Sequence, residues 1–328
     1  MLINYFLIVL SSFLGVMVFI PLLRNLAVKY KILIPQGMPL VGGIAMGLSF
    51  VFTCLLWFSL HKGLSQEARG IIVTSFIMLI FGAIDDRREL SVLAKFLVQI
   101  IAISLLIFFG IRTQIVYIGN ILNIIITFIW VLGISNAFNH LDIIDGLAAG
   151  TAIIVSLAFF IISFLHGDME TIILTLGLMG AVFSFLIYNF PPAKVYMGNS
   201  GSHFLGFTLA TIALVISYAP LQRKIALFSP LLVLGFPIFD TAFLILMRII
   251  KKSLPFKKSN DHLVLRFIAL GYSKKRALLI MLVLSIFFSL CGILVSQVSN
   301  LFGTVIVIFV VLVSLLLINK MRKVVVYG

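Results

Sequence analysis

Apolar runs of about 20 residues, the length that crosses a bilayer core, follow one another along this chain with only short polar breaks between them. Eleven such runs lie near 4–23, 43–60, 70–84, 94–110, 121–138, 147–165, 171–189, 201–218, 225–250, 277–295 and 302–319. The third is short and reads as starting earlier. Composition supports the same conclusion. Of 328 residues, 62% are hydrophobic and 10% charged, with a mean hydropathy of +1.26. A soluble domain must present a charged exterior, so a soluble fold is excluded. The expectation is an all-α, polytopic bundle of about 10–11 transmembrane spans, forming one integral-membrane domain over 1–328. Cys54 and Cys291 sit far apart inside apolar runs and read as core thiols. No Lys or Arg precedes Arg24, so the first run reads as a retained span rather than a cleavable signal.

Basic residues orient the bundle. With the N-terminus outside and eleven spans, 19 of the 24 Lys and Arg fall on the inner side. The positive-inside rule then puts the N-terminus outside and the C-terminus in the cytoplasm. Seven of the ten acids fall inside as well. A basic inner face is ordinary beside anionic lipid. Carboxylates packed into the short inner connections are not.

The sharpest cluster is Asn136-Ala-Phe-Asn-His-Leu-Asp-Ile-Ile-Asp-Gly146, with amides and acids at 136, 139, 142 and 145 and no Lys or Arg. A step of three turns about 300° around an α-helix, so four such residues line one ridge only where the helix tightens or unwinds. The segment reads as the end of span five entering a polar turn that closes at Gly146. Ionisable groups at membrane depth cost about 2.5–3.5 kcal/mol each on insertion scales, and persist where they line a wet cavity or bind something. Helix capping is the plain alternative.

Asp85 and Asp86 stand where span three leaves the membrane. Their side chains diverge by about 100°. One is expected to face a cavity and the other to pair with Arg87 or Arg88. Lys95 and Gln99 share a helix face at i and i+4, where the lysine either snorkels to headgroups or holds a phosphate. Small residues at 198–202, Gly-Asn-Ser-Gly-Ser, precede span eight and leave amides open to anionic oxygen. Asp240 lies near the inner end of span nine, with a hydrogen-bond partner role at a kink near Pro237 as the plain reading. His262 and Arg266 again stand at i and i+4, as diphosphate contacts or as part of a surface helix. A short apolar piece at 111–118 reads as a hairpin or re-entrant segment. Carboxylates, amides, a Lys, a His and an Arg gathered on one side suit Mg²⁺-assisted phosphoryl transfer, because Mg²⁺ shares oxygen ligands with substrate phosphates.

Taken in order, "FGAIDD", "NAFNHLDIIDGLA", "VYMGNSGSHFLG", "PIFD" and "DHLVLRFIALGYS" resemble the motifs of the polyprenyl-phosphate N-acetylhexosamine-1-phosphate transferases, over roughly residues 1–280. That superfamily includes the UDP-GlcNAc:undecaprenyl-phosphate enzymes and phospho-MurNAc-pentapeptide translocase. The resemblance implies transfer of an N-acetylhexosamine 1-phosphate from a UDP-sugar to a polyprenyl phosphate, with release of UMP. This is the first membrane step of a cell-envelope glycan pathway, run with Mg²⁺ at the cytoplasmic face of the plasma membrane. It implies that Asp85 and Asp86 activate or orient the lipid phosphate, and that Lys95 lies near the phosphates. Asn139 and Asn199 take the metal-binding positions. Asn136, Asp142, Asp145 and Gly146 form the nucleotide-side loop. His262 and Arg266 meet the diphosphate. Partners implied are the UDP-sugar, the lipid phosphate and the bilayer, with no nucleic acid; association as a homodimer stays open.

The chain departs from the pattern in three places. "MGDSGS" is "MGNSGS" here, so Asn199 replaces a carboxylate. "DHLHHR" is "DHLVLR", with Val264 and Leu265 in place of two histidines, and this argues against the pentapeptide substrate. The loop "IPQGMPLVGG" keeps Pro39, Gly42 and Gly43 without the usual basic neighbour. A diverged member that only binds lipid phosphate or nucleotide is therefore the second reading. An ion-coupled transporter is the third, and it predicts inverted repeats that the sequence does not show.

Overall fold

Each apolar run becomes helix, and four of the helices begin where the chain supplies a side-chain cap. The computed structural model describes residues 2–34, 37–61, 63–220, 222–252 and 261–326. Among them the helices are α1 (Leu2–Tyr30), α2 (Gly42–His61), α3 (Gln66–Arg87), α4 (Val92–Phe108), α5 (Gly119–Leu141), α6 (Leu147–His166), α7 (Met169–Asn189), α8 (Gly198–Val215), α9 (Ser229–Val233), α10 (Gly235–Ile250), α11 (Leu263–Ala269), α12 (Lys274–Gln297) and α13 (Asn300–Met321). A 3₁₀ turn, Lys224–Phe228, precedes α9, and no strand occurs among the described residues. Local side chains start four helices: Ser65 accepts the Ala68 N–H, Ser91 that of Ala94, Asp168 that of Thr171 and Ser273 that of Arg276. Each satisfies an amide that has no partner inside its own helix.

Among the described residues eight helices are long and apolar enough to cross a membrane. The run expected as one span at 225–250 is instead a pair of helices, Lys224–Val233 and Gly235–Ile250, bent by 72°. Pro237 explains the break. It has no N–H to continue an upstream helix, yet fits the first turn of a new one. With this pair, the 17-residue α4 and the 18-residue α8, the eleven expected elements are all present. The piece at 111–118 is a turn strapped to α5. The Thr113 N–H donates to Thr127 Oγ1, and the Ile115 N–H to Asn123 Oδ1, both at 2.9 Å.

The chain divides into two compact units, Met1–Ile216 and Ser217–Gly328. In the second, α12 packs against α9, α10, α11 and α13. Ser229 Oγ donates to the Gly292 carbonyl and Ser289 Oγ to that of Val233, which ties the broken span to α12. Helix α13 is only 11% buried along its apolar window, as expected of a surface that faces lipid tails.

In the first unit α8 is the central post. Every residue from Ser200 to Ala213 is buried, and the helix lies against α2, α3 and α5. Its start is held at backbone distance. The Gly42 and Gly43 N–H groups donate to the carbonyls of Tyr196 and Met197. A Cβ on Gly43 would lie 2.1 Å from the Gly201 nitrogen, and one on Gly82 would lie 2.4 Å from Ser200 Cα. Only glycine permits this approach. Antiparallel alternation then brings the starts of α2, α6 and α8 and the ends of α3, α5 and α7 to one end of the unit.

Gly43→Ala and Gly82→Ala should each destabilise the protein by about 1–3 kcal/mol, because their neighbours are backbone and cannot yield. Gly177→Ala, whose Cβ would meet side chains at 3.5 Å or more, should be near neutral. Thermal melting of the three variants in detergent checks the contrast.

Candidate functional site at the start of helix α8

Helix α8 has no side-chain cap of its own; its N-cap position is Met197. The cap comes from α3. Asp86 Oδ1 accepts the Asn199 N–H at 2.6 Å and Oδ2 accepts the Ser200 N–H at 3.0 Å. A carboxylate at a helix start also meets the positive end of the helix dipole. Hydrogen bonds to a charged group contribute about 1.5–3 kcal/mol each. One turn further on, Asn139 of α5 donates through Nδ2 to Asn199 Oδ1 and to Ser202 Oγ, both at 3.0 Å. The structure therefore brings Asp86, Asn139 and Asn199 together, from three helices.

The adjacent Asp85 turns elsewhere. It pairs with Lys95 of α4 at 2.6 Å and accepts the Leu90 N–H at 2.8 Å. The expected partners, Arg87 and Arg88, are exposed instead. Below Lys95, Gln99 exchanges amide hydrogen bonds with Asn136 of α5, and Gln99 Nε2 lies 3.5 Å from His203 Nδ1. His203 is buried and its Nε2 has no hydrogen-bond partner.

The expected ridge at 136, 139, 142 and 145 does not form. Helix α5 stays α-helical to Leu141, so its polar positions fan out. Asn136 reaches α4, Asn139 reaches α8, and Asp142 and Asp145 stand in the turn beyond. Gly146 ends that turn at φ +81°, a left-handed conformation that suits glycine. Its N–H donates to Asn189 Oδ1 at 2.8 Å, and Asn189 Nδ2 donates to the Val195 carbonyl. Asp145 Oδ2 accepts the Ala193 N–H at 3.1 Å. The turn and the 190–195 loop thus hold each other.

Between them opens a cavity of about 390 Å³, walled by Asp86, Asp142, Asp145, Asn189 and Asn199 with Leu40, Ile143, Ile144, Tyr196 and Gly198. Burial, then the charges of Asp86 and Asp145, raises the Asp142 carboxyl to about 7. A cation among these groups would act in the opposite sense. The wall offers oxygen donors, the chemistry that hard divalent cations select. Among the described residues no group of three or more His, Cys, Asp or Glu side chains is arranged to hold a metal ion by itself. An open oxygen wall fits a cation that completes its shell with substrate phosphates.

His262 and Arg266 belong to the second unit. His262 Nδ1 lies 3.1 Å from Asp240 Oδ2, while Asp240 Oδ1 accepts the Leu263 N–H. Asp240 therefore anchors the start of α11 rather than a kink at Pro237. Arg266 is buried and donates to Asp261 and to the carbonyls of Met321 and Val324. It clasps the end of α13 instead of presenting a free fork. The polar connection at 251–275 is described only in part, since 253–260 lie outside the described residues. Sequence reasoning missed Asn189, Tyr196 and His203. A polar residue at the last helical position before Phe-Pro-Pro was the available signal for Asn189.

Residues 68–217, the stretch that carries this geometry, match glycosyl transferase family 4. A probable undecaprenyl-phosphate N-acetylglucosaminyl 1-phosphate transferase of Bacillus subtilis is 28% identical over 94% of this chain and 89% of its own. A decaprenyl-phosphate N-acetylglucosaminephosphotransferase of Mycolicibacterium smegmatis is 32% identical over 75% of this chain and 68% of its own. A phospho-N-acetylmuramoyl-pentapeptide-transferase of a Geobacillus species is 33% identical over 55% and 61%. The chain belongs to glycosyl transferase family 4, with the prenyl-phosphate N-acetylglucosamine phosphotransferases among its relatives.

Proposed function

We propose that this membrane protein transfers an N-acetylhexosamine 1-phosphate from a UDP-sugar to a polyprenyl phosphate and releases UMP. The carrying observation is the oxygen-walled cavity at one end of the helix bundle, built on Asp86, Asp142, Asp145 and Asn199. The donor is soluble and anionic, while the acceptor's tail stays in lipid, so the reaction belongs at the boundary between them. The excess of Lys and Arg in the connections on this side supports a cytoplasmic position for this end. The names of the Bacillus and mycobacterial relatives favour N-acetylglucosamine as the sugar.

The acceptor phosphate oxygen attacks the sugar-bearing β-phosphorus, and the bond to the UMP oxygen breaks. Such transfer needs chiefly alignment and neutralised charge. Asn139 and Asn199, with the Asp142 and Asp145 carboxylates nearby, would hold Mg²⁺, which supplies positive charge against the diphosphate. Asp86 fixes the α8 start, so Asn199 keeps its place while the substrates exchange. Gly146 and Asn189 hold the turn that carries Asp142 and Asp145. Lys95, paired with Asp85 and partly exposed, supplies a cation that can meet the acceptor phosphate.

Purified protein given UDP-GlcNAc, polyprenyl phosphate and Mg²⁺ should release UMP, and EDTA should stop it; no UMP from any UDP-N-acetylhexosamine would refute the proposal. Asn199 accepts a hydrogen bond from Asn139 through Oδ1, a bond that a carboxylate accepts equally well. Asn199→Asp should therefore fit without strain and raise kcat/KM at low Mg²⁺ by about tenfold, or ~1.4 kcal/mol. An inactive natural chain made active by this change would instead mark a diverged binding protein.

A further inference from the structure

Building on the transferase reading, we infer that Asp85 is a positioning residue that acts through Lys95 and not on a substrate. Both its oxygens are already engaged, one by the Lys95 ammonium at 2.6 Å and the other by the Leu90 N–H at 2.8 Å. Its side chain has no exposed surface, whereas that of Lys95 is 27% exposed. The lysine is the partner that can meet a ligand; the aspartate is sealed behind it.

The two contacts act on one side chain. Leu90 lies in the connection that leads through the Ser91 cap into α4, on which Lys95 stands. Asp85 thus fixes both the root of the lysine, through the entry to α4, and its tip, through the ion pair. A lysine stem is flexible and its ammonium is a point charge. Holding it in place in advance removes part of the entropy cost of alignment. A base is not needed there. A phosphate monoester has a second pKa near about 6, so an acceptor phosphate is mostly dianionic at neutral pH and already carries a free nucleophilic oxygen. The neighbouring Asp86, whose side chain diverges by about 100°, has the separate task of holding α8.

A double-mutant cycle tests this. Asp85→Asn and Lys95→Met should each lower kcat/KM for UMP release by about 10- to 100-fold, the usual scale for a supporting partner, with the same division between KM and kcat. Together they should lose little more than either alone. Losses that multiply would overturn the inference, because Asp85 would then act independently. The acidic limb of the kcat–pH profile should survive in Asp85→Asn; its disappearance would make Asp85 a general base and overturn the inference too. The same cycle read by thermal melting needs no turnover. There the double variant should lose less than the sum of the singles, and additive losses would refute the pairing. If the natural protein releases no UMP, the transferase reading fails by itself, and the melting cycle still decides the pairing.

Discussion

The site depends on one carboxylate bound to the start of one helix. Asp86 takes the second and third amides of α8, and α8 is the post against which α2, α3 and α5 pack. In a bilayer the orphan donors of a helix start have little water to turn to. A charged acceptor from a neighbouring helix solves that problem and, in the same act, fixes Asn199 beside Asn139. Gly43 and Gly82 make it sterically possible, since any side chain there would drive α8 away from the carboxylate. The close packing of α8 and the placement of Asn199 beside Asn139 rest on the same few residues.

The acids in this region divide by what surrounds them. Asp85 is sealed and paired with a lysine. Asp86 faces helix amides. Asp142 and Asp145 stand in a turn beside a cavity, with no basic side chain in the turn itself. Burial, and after it the charges of Asp86 and Asp145, raises the Asp142 carboxyl to about 7, and a nearby cation would act in the opposite sense.

Much of the helical layout was legible in the sequence, because hydrocarbon tolerates few alternatives to a helix and a span has a fixed length. Several polar residues that line the cavity, Asp86, Asp142, Asp145 and Asn199, stood out in the sequence against an apolar background, whereas Asn189 and Tyr196 did not. The pairings were less legible. Arg87 and Arg88 looked like the natural partners of the acidic pair, yet Lys95, ten residues on, takes Asp85 after the chain reverses at Leu90. Asn136 looked like a neighbour of Asp145, yet the helix rotates it toward Gln99. Arg266 looked like a phosphate fork, yet carbonyls of the chain's last helix and tail engage it. Each of these follows from directions in space that spacing along the chain does not encode.

What the sequence determined alone is local: where apolar runs begin and end, where Ser65, Ser91, Asp168 and Ser273 cap the helix that follows them, and which polar residues interrupt the lipid-soluble surface. Those depend on contacts within a few residues. The tertiary structure alone decided that α8 would receive its cap from Asp86, 113 positions earlier, and that Asn189 would close the turn at Gly146. The physical reason is that a buried amide must find an acceptor somewhere, and only the packed bundle decides which one is within reach.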